Sequence, residues 1–292
     1  MGFWKVLFGG KDLTPEEEQQ EREQKNFDLL KYDGVKALKM GQVDYAVKCF
    51  EEALKLQDDL EARDYLSQAL IRQGTLDGAA EQLKLLAKAE PRNVALLLRL
   101  AHVAYMMEDY GQMAEACEQA LAADESSGEA YFFYAQAKLG QGDAVGGIAM
   151  LTKAISLNED YAEAYLLRAR TLLSMGDVKG AGDDAAWLIE NIGDHEEVLL
   201  LCARVAVARQ QTDEAADYYN KVLEVNPFSI EAYQERGQLR YALGDKAGAE
   251  EDLQKVLELN PNALADVNGE YSAEGIEERV RQAYSAVNPL GL

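Results

Sequence analysis

Small side chains recur in this chain with a period of 34 residues, and any fold has to accommodate that period. The first column of small residues has one interval of 33 and then intervals of 34: Gly34, Ser67, Ala101, Ala135, Ala169, Ala203 and Gly237. A second column repeats the same spacing: Ala46, Ala79, Met113, Gly147, Ala181, Ala215 and Ala249. A fixed period of this length indicates a stacked array of similar supersecondary units.

Each 34-residue repeat has the pattern of two helices joined by a short turn. In the last unit, apolar and small residues fall at i, i+4 and i+7 before Gly244-Asp245, and the pattern resumes until Asn260-Pro261. Turn glycines lie in register at Gly41, Gly74, Gly142, Gly176 and Gly244. Small residues are expected where two helices approach closely, because a larger side chain would force them apart.

These columns resemble the tetratricopeptide repeat (TPR) family over about residues 27–263, which amounts to seven repeats. The departures are local: Met113 and Gly147 replace the usual alanine, and repeat five ends without a proline. The resemblance implies an all-α fold, an α-solenoid that forms a right-handed superhelix of helix-turn-helix repeats. An N-terminal extension and a C-terminal capping helix are expected at its ends.

The chain therefore divides into four predicted segments. They are an apolar N-terminal arm at 1–13, a helical extension at 14–26, the repeats at 27–263, and a linker with a capping helix at 264–292. Thr14-Pro15-Glu16-Glu17 is a capping box with proline at the first helical position, so the extension is expected to run on into repeat one. Apolar residues space an amphipathic helix over about 274–287.

Charge and cysteine content narrow the class of protein. The 292 residues include 52 acidic and 29 basic side chains, a net charge of −23, which argues against a nucleic-acid partner. Cys49, Cys117 and Cys202 lie in apolar helical patterns and are expected to be buried thiols in a reducing compartment. No segment has the pattern of a secretory signal or a membrane span, so a cytoplasmic protein is expected.

Catalytic and cofactor motifs are not found in the sequence. The two histidines, His102 and His195, lie in different repeats without a nucleophile arranged around them. Gly9-Gly10-Lys11-Asp12 lacks the first glycine and the hydroxyl residue of a phosphate-binding loop. We therefore predict a protein that is not an enzyme and that needs no metal or cofactor.

An apolar stripe on the first helices of repeats three to six is the candidate binding site. In the TPR family such stripes line a concave groove that holds a partner segment, and the resemblance implies the same here. The predicted contact residues are Leu98, Arg99, His102, Phe132, Phe133, Gln136, Leu166, Leu167, Arg170, Leu200, Leu201 and Arg204. In the alternative interpretation, neighbouring repeats bury the leucines of this stripe as ordinary core.

We predict an adaptor or scaffold that binds an apolar, partly acidic protein segment in this groove. Arg99, Arg170 and Arg204 would meet an acidic side chain or a carboxylate of the partner. Only Lys31 and Arg99 match the residues with which some family members clamp a chaperone's C-terminal carboxylate, so that activity is not supported.

The arm sequence FWKVLF, residues 3–8, provides an alternative function. Five large apolar residues in six positions make exposure costly. The arm could enter the groove of its own chain, the groove of a second copy, or a lipid interface. If it touches lipid, the protein would be a membrane-associated assembly factor tethered by the arm. The oligomeric state stays open.

Two arginines predict ion pairs between the helices of a repeat. Arg168 and Arg236 occupy a position at which a TPR usually has leucine, and Asp184 and Asp252 follow each of them by 16 residues. No other repeat has either residue at its position. We therefore predict a pair within repeat five and another within repeat seven.

Overall fold

A computed structural model describes residues 14–261 of the chain. The predicted arm and the predicted capping helix lie outside the described residues. Within them the chain is all-α, as predicted, with no strand. The helices are α1 (Pro15–Lys39), α2 (Val43–Leu56), α3 (Leu60–Gln73), α4 (Leu76–Ala89), α5 (Val94–Met106), α6 (Tyr110–Ala123), α7 (Gly128–Gly140), α8 (Ala144–Leu157), α9 (Ala162–Ser174), α10 (Val178–Asn191), α11 (Glu196–Ala208), α12 (Thr212–Val225), α13 (Ile230–Ala242) and α14 (Lys246–Leu259).

The odd-numbered helices are the first helices of the predicted repeats, and the even-numbered helices are the second ones. All residues of both small-residue columns are buried. Gly34 shows why size matters in these columns, since a Cβ atom there would lie 2.7 Å from the ring of Phe50. No helix within residues 14–261 has the combination of length and apolar character that crossing a membrane requires.

The chain forms two compact units, and the boundary between them, Gly146–Gly147, falls inside α8. In unit 1 one core cluster takes side chains from each helix from α1 to α7. In unit 2 two neighbouring clusters take side chains from α9 to α13. Each of these clusters joins apolar side chains of consecutive repeats, which is how stacked repeats gain stability that a single repeat lacks.

The extension forms a single helix with repeat one, as the capping box predicts. The Thr14 hydroxyl accepts from the Glu17 N–H at 3.3 Å, and the Glu17 carboxylate accepts from the Thr14 N–H at 2.7 Å. The first twelve residues of α1, from 15 to 26, are all exposed, and the first buried residue is Phe27. The extension is therefore a solvated stretch of about three turns that precedes the packed part of the helix.

Both predicted ion pairs between the helices of a repeat are confirmed. Arg168 Nε and Nη2 donate to the two carboxylate oxygens of Asp184 at 2.9 and 2.6 Å. Arg236 makes the same bidentate pair with Asp252 at 3.0 and 2.5 Å. The side chains of Asp184 and Asp252 are only 6% and 2% exposed, so each carboxylate needs a cationic partner.

Each arginine also reaches the second helix of the preceding repeat. Arg168 Nη1 donates to the hydroxyl of Thr152 on α8 at 3.0 Å, and Arg236 Nη1 donates to the amide oxygen of Asn220 on α12 at 2.7 Å. The Arg168 guanidinium lies 5.5 Å from the centre of the Tyr165 ring, and that ring stacks on Trp187 at 3.9 Å. These contacts fix the orientation of α9, which carries part of the candidate site.

Candidate functional site

The predicted site is distributed over four first helices, two in each unit. Unit 1 holds Leu98, Arg99 and His102 on α5 and Phe132, Phe133 and Gln136 on α7. Unit 2 holds Leu166, Leu167 and Arg170 on α9 and Leu200, Leu201 and Arg204 on α11. The two halves are described separately.

Three of the predicted contact leucines belong to the core instead. Leu98, Leu200 and Leu201 are 7%, 2% and 0% exposed. Each is part of a core cluster within its own unit. For these three, the alternative in which neighbouring repeats bury the stripe is the one that the structure supports.

A signal for this burial was present in the sequence. Three consecutive leucines occur in α5, VALLLRLAHVAYM, and again in α11, EEVLLLCARVAVA. A helix that is apolar around most of its circumference is buried on more than one side. By contrast, α9 alternates leucine pairs with Arg168 and Arg170, and its Leu166 and Leu167 stay half-exposed.

The half-site of unit 1 is aromatic. Phe132 and Phe133 are half-buried, with an edge-to-face contact of 6.1 Å between ring centres. The exposed His102 ring lies 6.1 Å from the Phe133 ring. Such packing leaves apolar ring surface next to a polar imidazole, a combination found where a partner side chain is bound.

Two exposed side chains were missed by the sequence prediction. Tyr105 and Met106 are 43% and 45% exposed on α5. They lie three and four residues after His102, which places them on neighbouring parts of the same helical surface. Helical spacing from His102 could have identified them, and they extend the apolar surface of this half-site.

Two polar atoms of this half-site lack a hydrogen-bond partner among the described residues. They are the Nε of Arg99, a donor, and the Oε1 of Gln136, an acceptor, and both atoms are buried. Buried polar atoms are almost always satisfied in folded proteins.

The half-site of unit 2 consists of a leucine pair and a cation. Leu166 packs against the core of unit 2, and both Leu166 and Leu167 are half-exposed. Arg170 lies 3.6 Å from the Glu197 carboxylate, with side chains 41% and 54% exposed. An exposed pair at that distance is weak, so Arg170 can exchange its partner at little cost.

The other two arginines of the site are held more firmly by carboxylates of this chain. Arg99 pairs with Asp64. Arg204 donates to Glu235 at 2.7 to 3.1 Å and also contacts Glu231. Burial opposes the charge of Arg204, but the hydrogen bonds and charges of these two glutamates outweigh it and raise the pKa of the guanidinium. The expectation that all three arginines are free to meet a partner therefore fits Arg170 best.

Metal-ligand geometry is not found in the described part of the chain. No group of three or more His, Cys, Asp or Glu side chains within residues 14–261 is placed to hold a metal ion.

Comparison with known proteins identifies the repeats. Two family models, each described as Tetratricopeptide repeat, match residues 34–94 and 203–268. A tetratricopeptide repeat protein from Parabacteroides merdae is 16% identical with a TM-score of 0.67, over 89% of this chain and 99% of that one. No curated protein matches the chain.

Two further solved structures share the fold. PilW, described as a widely conserved type IV pilus biogenesis factor, is 18% identical with a TM-score of 0.61, over 74% of this chain and 96% of that one. YrrB, described as a TPR protein with an unusual peptide-binding site, is 17% identical with a TM-score of 0.52, over 64% and 96%. At these identities the likeness concerns the fold.

Proposed function

Because the chain is a tetratricopeptide repeat protein, one of a family of protein-interaction scaffolds, we propose that it is a non-enzymatic adaptor for an apolar, partly acidic protein segment. The observation that carries the proposal is the half-exposed pair Leu166 and Leu167 beside the weakly held Arg170. Half-buried apolar side chains next to an available cation favour a segment with an apolar anchor and a nearby carboxylate.

The half-site of unit 1 offers a second apolar surface on which a protein segment can lie. Phe132, Phe133, Tyr105 and Met106 provide this surface. A structural neighbour, YrrB, is described as having a peptide-binding site. The membrane-tethered alternative depends on residues 3–8, which lie outside the described residues, so no described contact favours it.

The test is selection of ligands from a displayed library of random 15-residue peptides on the immobilised full-length chain. Enriched peptides are synthesised, and their affinities are measured for the wild type and for Leu167→Asp. We expect Leu167→Asp to weaken binding at least tenfold, because a carboxylate replaces apolar contact area and lies close to where the peptide's own acid would bind. We also expect Arg170→Ala to remove the preference for acidic peptides.

Two controls separate binding from folding. Leu85→Asp changes a leucine that is 41% exposed on α4 and is not among the predicted contact residues, and this variant should bind peptides as the wild type does. Leu201→Asp places a charge at a fully buried position and should lower the melting temperature strongly. Failure to enrich any peptide, or equal affinity of the Leu167→Asp variant and the wild type for the enriched peptides, would contradict the proposal.

A further inference from the structure

A hollow at the N-terminal ends of α3 and α5 in unit 1 is not used by the proposed site of unit 2. Its volume is about 630 Å³, and its lining includes Leu60, Glu61, Asp64, Glu90, Ala95 and Arg99. A second hollow of about 280 Å³ shares Ala95 and Arg99 and adds Phe133, His102 and Glu129. The two hollows therefore form one continuous surface, which we call the acidic-aromatic surface.

This surface combines apolar contacts with carboxylates that have no cation. Leu60 is 42% exposed and Ala95 is exposed, so the floor is apolar and open. Glu61 pairs with Lys31 at 2.6 Å, and Asp64 pairs with Arg99. Glu90 and Glu129 are exposed and have no ion-pair partner among the described residues. A ligand that carries apolar side chains and one cation fits this arrangement, because each unpaired carboxylate attracts the cation.

The segment FWKVLF of this chain has that composition. Lys5 lies between apolar residues on both sides, and the first ten residues contain no acidic side chain. The whole chain carries a net charge of −23, so this segment differs in sign from most of the surface around it.

The exposed start of α1 favours a second copy over the same chain as the donor of the segment. Residues 15–26 form an exposed helix about 18 Å long before the first buried residue, Phe27. Phe8 stands six residues before Thr14, and six residues span at most about 20 Å. In the same chain an extended stretch of that length would bring Phe8 back about to the level of Phe27, and the segment would have to run back along α1 to reach the surface. A second copy can present the segment without this constraint.

We propose that residues 3–8 of one copy dock on the acidic-aromatic surface of a second copy, with Lys5 between Glu90 and Glu129. The exposed start of α1 acts as the spacer that presents the segment. Segment and receiving surface lie at different places on the chain, so the contact is head-to-tail and each copy can both donate and receive. The proposal does not depend on what binds the half-site of unit 2.

Mixing two complementary variants of the full-length chain tests the proposal. Trp4→Glu/Phe8→Glu disables the segment and leaves the receiving surface intact. Ala95→Arg fills the surface at the residue shared by both hollows and repels Lys5. By sedimentation velocity we expect the wild type to form a concentration-dependent series of oligomers and each variant alone to be a monomer. An equimolar mixture of the two variants should form a 1:1 dimer.

Controls keep the result specific. Ala122→Arg makes the same substitution at an exposed alanine of α6 and should associate like the wild type. Glu90→Lys/Glu129→Lys should also abolish association, and it replaces Ala95→Arg if that variant loses helical content by circular dichroism. Raising the salt concentration to about 1 M should weaken the wild-type association severalfold, since it screens the pairing of Lys5.

Three results would overturn the proposal. One is a wild type that stays monomeric at all concentrations, which would place the segment on its own chain or elsewhere. Another is association of either variant alone at wild-type strength. The third is a monomeric wild type that co-sediments with phosphatidylcholine–phosphatidylglycerol vesicles while Trp4→Glu/Phe8→Glu does not, which would make a bilayer the partner of the segment.

Discussion

At two of the turns between helices, a residue other than glycine adopts the left-handed backbone conformation, with a positive φ angle. Glu108 has φ of 56° and Gln210 has φ of 61°. The equivalent turns of the neighbouring repeats have glycine, for example Gly142 and Gly176 with φ of 81° and 82°. An L-residue in this conformation costs about 1–2 kcal/mol because its Cβ approaches the following carbonyl oxygen, and glycine does not incur this cost.

We predict that Glu108→Gly raises the free energy of unfolding by about 1 kcal/mol. Relief of the backbone strain favours the folded chain, but part of this gain is lost because glycine has more conformational freedom in the unfolded chain. Urea denaturation followed by circular dichroism measures the change. Gly142→Glu is the matched reverse substitution. No atom lies within 4 Å of the position that its Cβ would take, so only backbone strain is added and the stability should fall by a similar amount. Equal stability of Glu108→Gly and the wild type would contradict the prediction.

Between helices, the arginine pairs of repeats five and seven differ in one contact. Asp184 depends on Arg168, whereas Asp252 accepts from both Arg236 and Arg240, the latter at 3.1 Å. A buried carboxylate that loses its partner is strongly destabilising, by about 3–5 kcal/mol in comparable cases. A carboxylate that keeps a second arginine should lose less.

We predict that Arg168→Leu lowers the free energy of unfolding by about 3 kcal/mol or more and that Arg236→Leu lowers it by clearly less. Leucine is the usual residue of the family at both positions, so packing changes little between the two variants. The double variant Arg168→Leu/Asp184→Ala should recover most of the loss, since no unpaired charge remains. Thermal and urea denaturation of the four chains measure this. A larger loss for Arg236→Leu would refute the role given to Arg240.

At the scale of the whole molecule, each compact unit contains a buried cysteine that reports on it. Cys117 in unit 1 is 0% exposed, and Cys202 in unit 2 is 6% exposed. Burial, together with the charge of Glu118, raises the pKa of the Cys117 thiol from 9.0 to about 12. Burial, together with the charge of Glu214, raises the pKa of the Cys202 thiol to about 11. The thiolate is the reactive form, so both thiols are expected to be unreactive while their unit is folded.

Alkylation by iodoacetamide, read by mass spectrometry, tests this prediction. At pH 8 we expect both thiols to be labelled at least about 100-fold more slowly than in the urea-unfolded chain. Above pH 9 the thiols of the unfolded chain lose their protons, whereas the buried thiols of the folded chain keep them. The stability that the folded chain owes to these protonated thiols is therefore fully present below pH 9 and is lost as the pH rises toward 11–12. Rapid labelling of Cys117 in the native chain at pH 8 would contradict the burial on which this rests.

The sequence by itself determined the helical repeat and its register. Small residues at a period of 34 can be accommodated only where helices meet, and the buried columns follow from that spacing. The capping box at Thr14 and the pair Arg168–Asp184 were also predictable, because each depends on residues at fixed offsets within one repeat. These features could be predicted because they depend only on the geometry of a helix or of a single repeat.

Only the tertiary structure decided which residues of the apolar stripe are accessible. Leu167 and Leu201 occupy the same position in successive repeats, yet Leu167 is half-exposed and Leu201 is fully buried. Periodicity gives the face of a helix, but burial depends on the side chains that neighbouring helices place over that face. The partners of Arg204 also depend on packing between repeats. Its two carboxylate partners lie on α13, the first helix of the next repeat, 27 and 31 residues further along the chain. Contacts between repeats are set by how the helices pack, and a single repeat's sequence does not encode that packing.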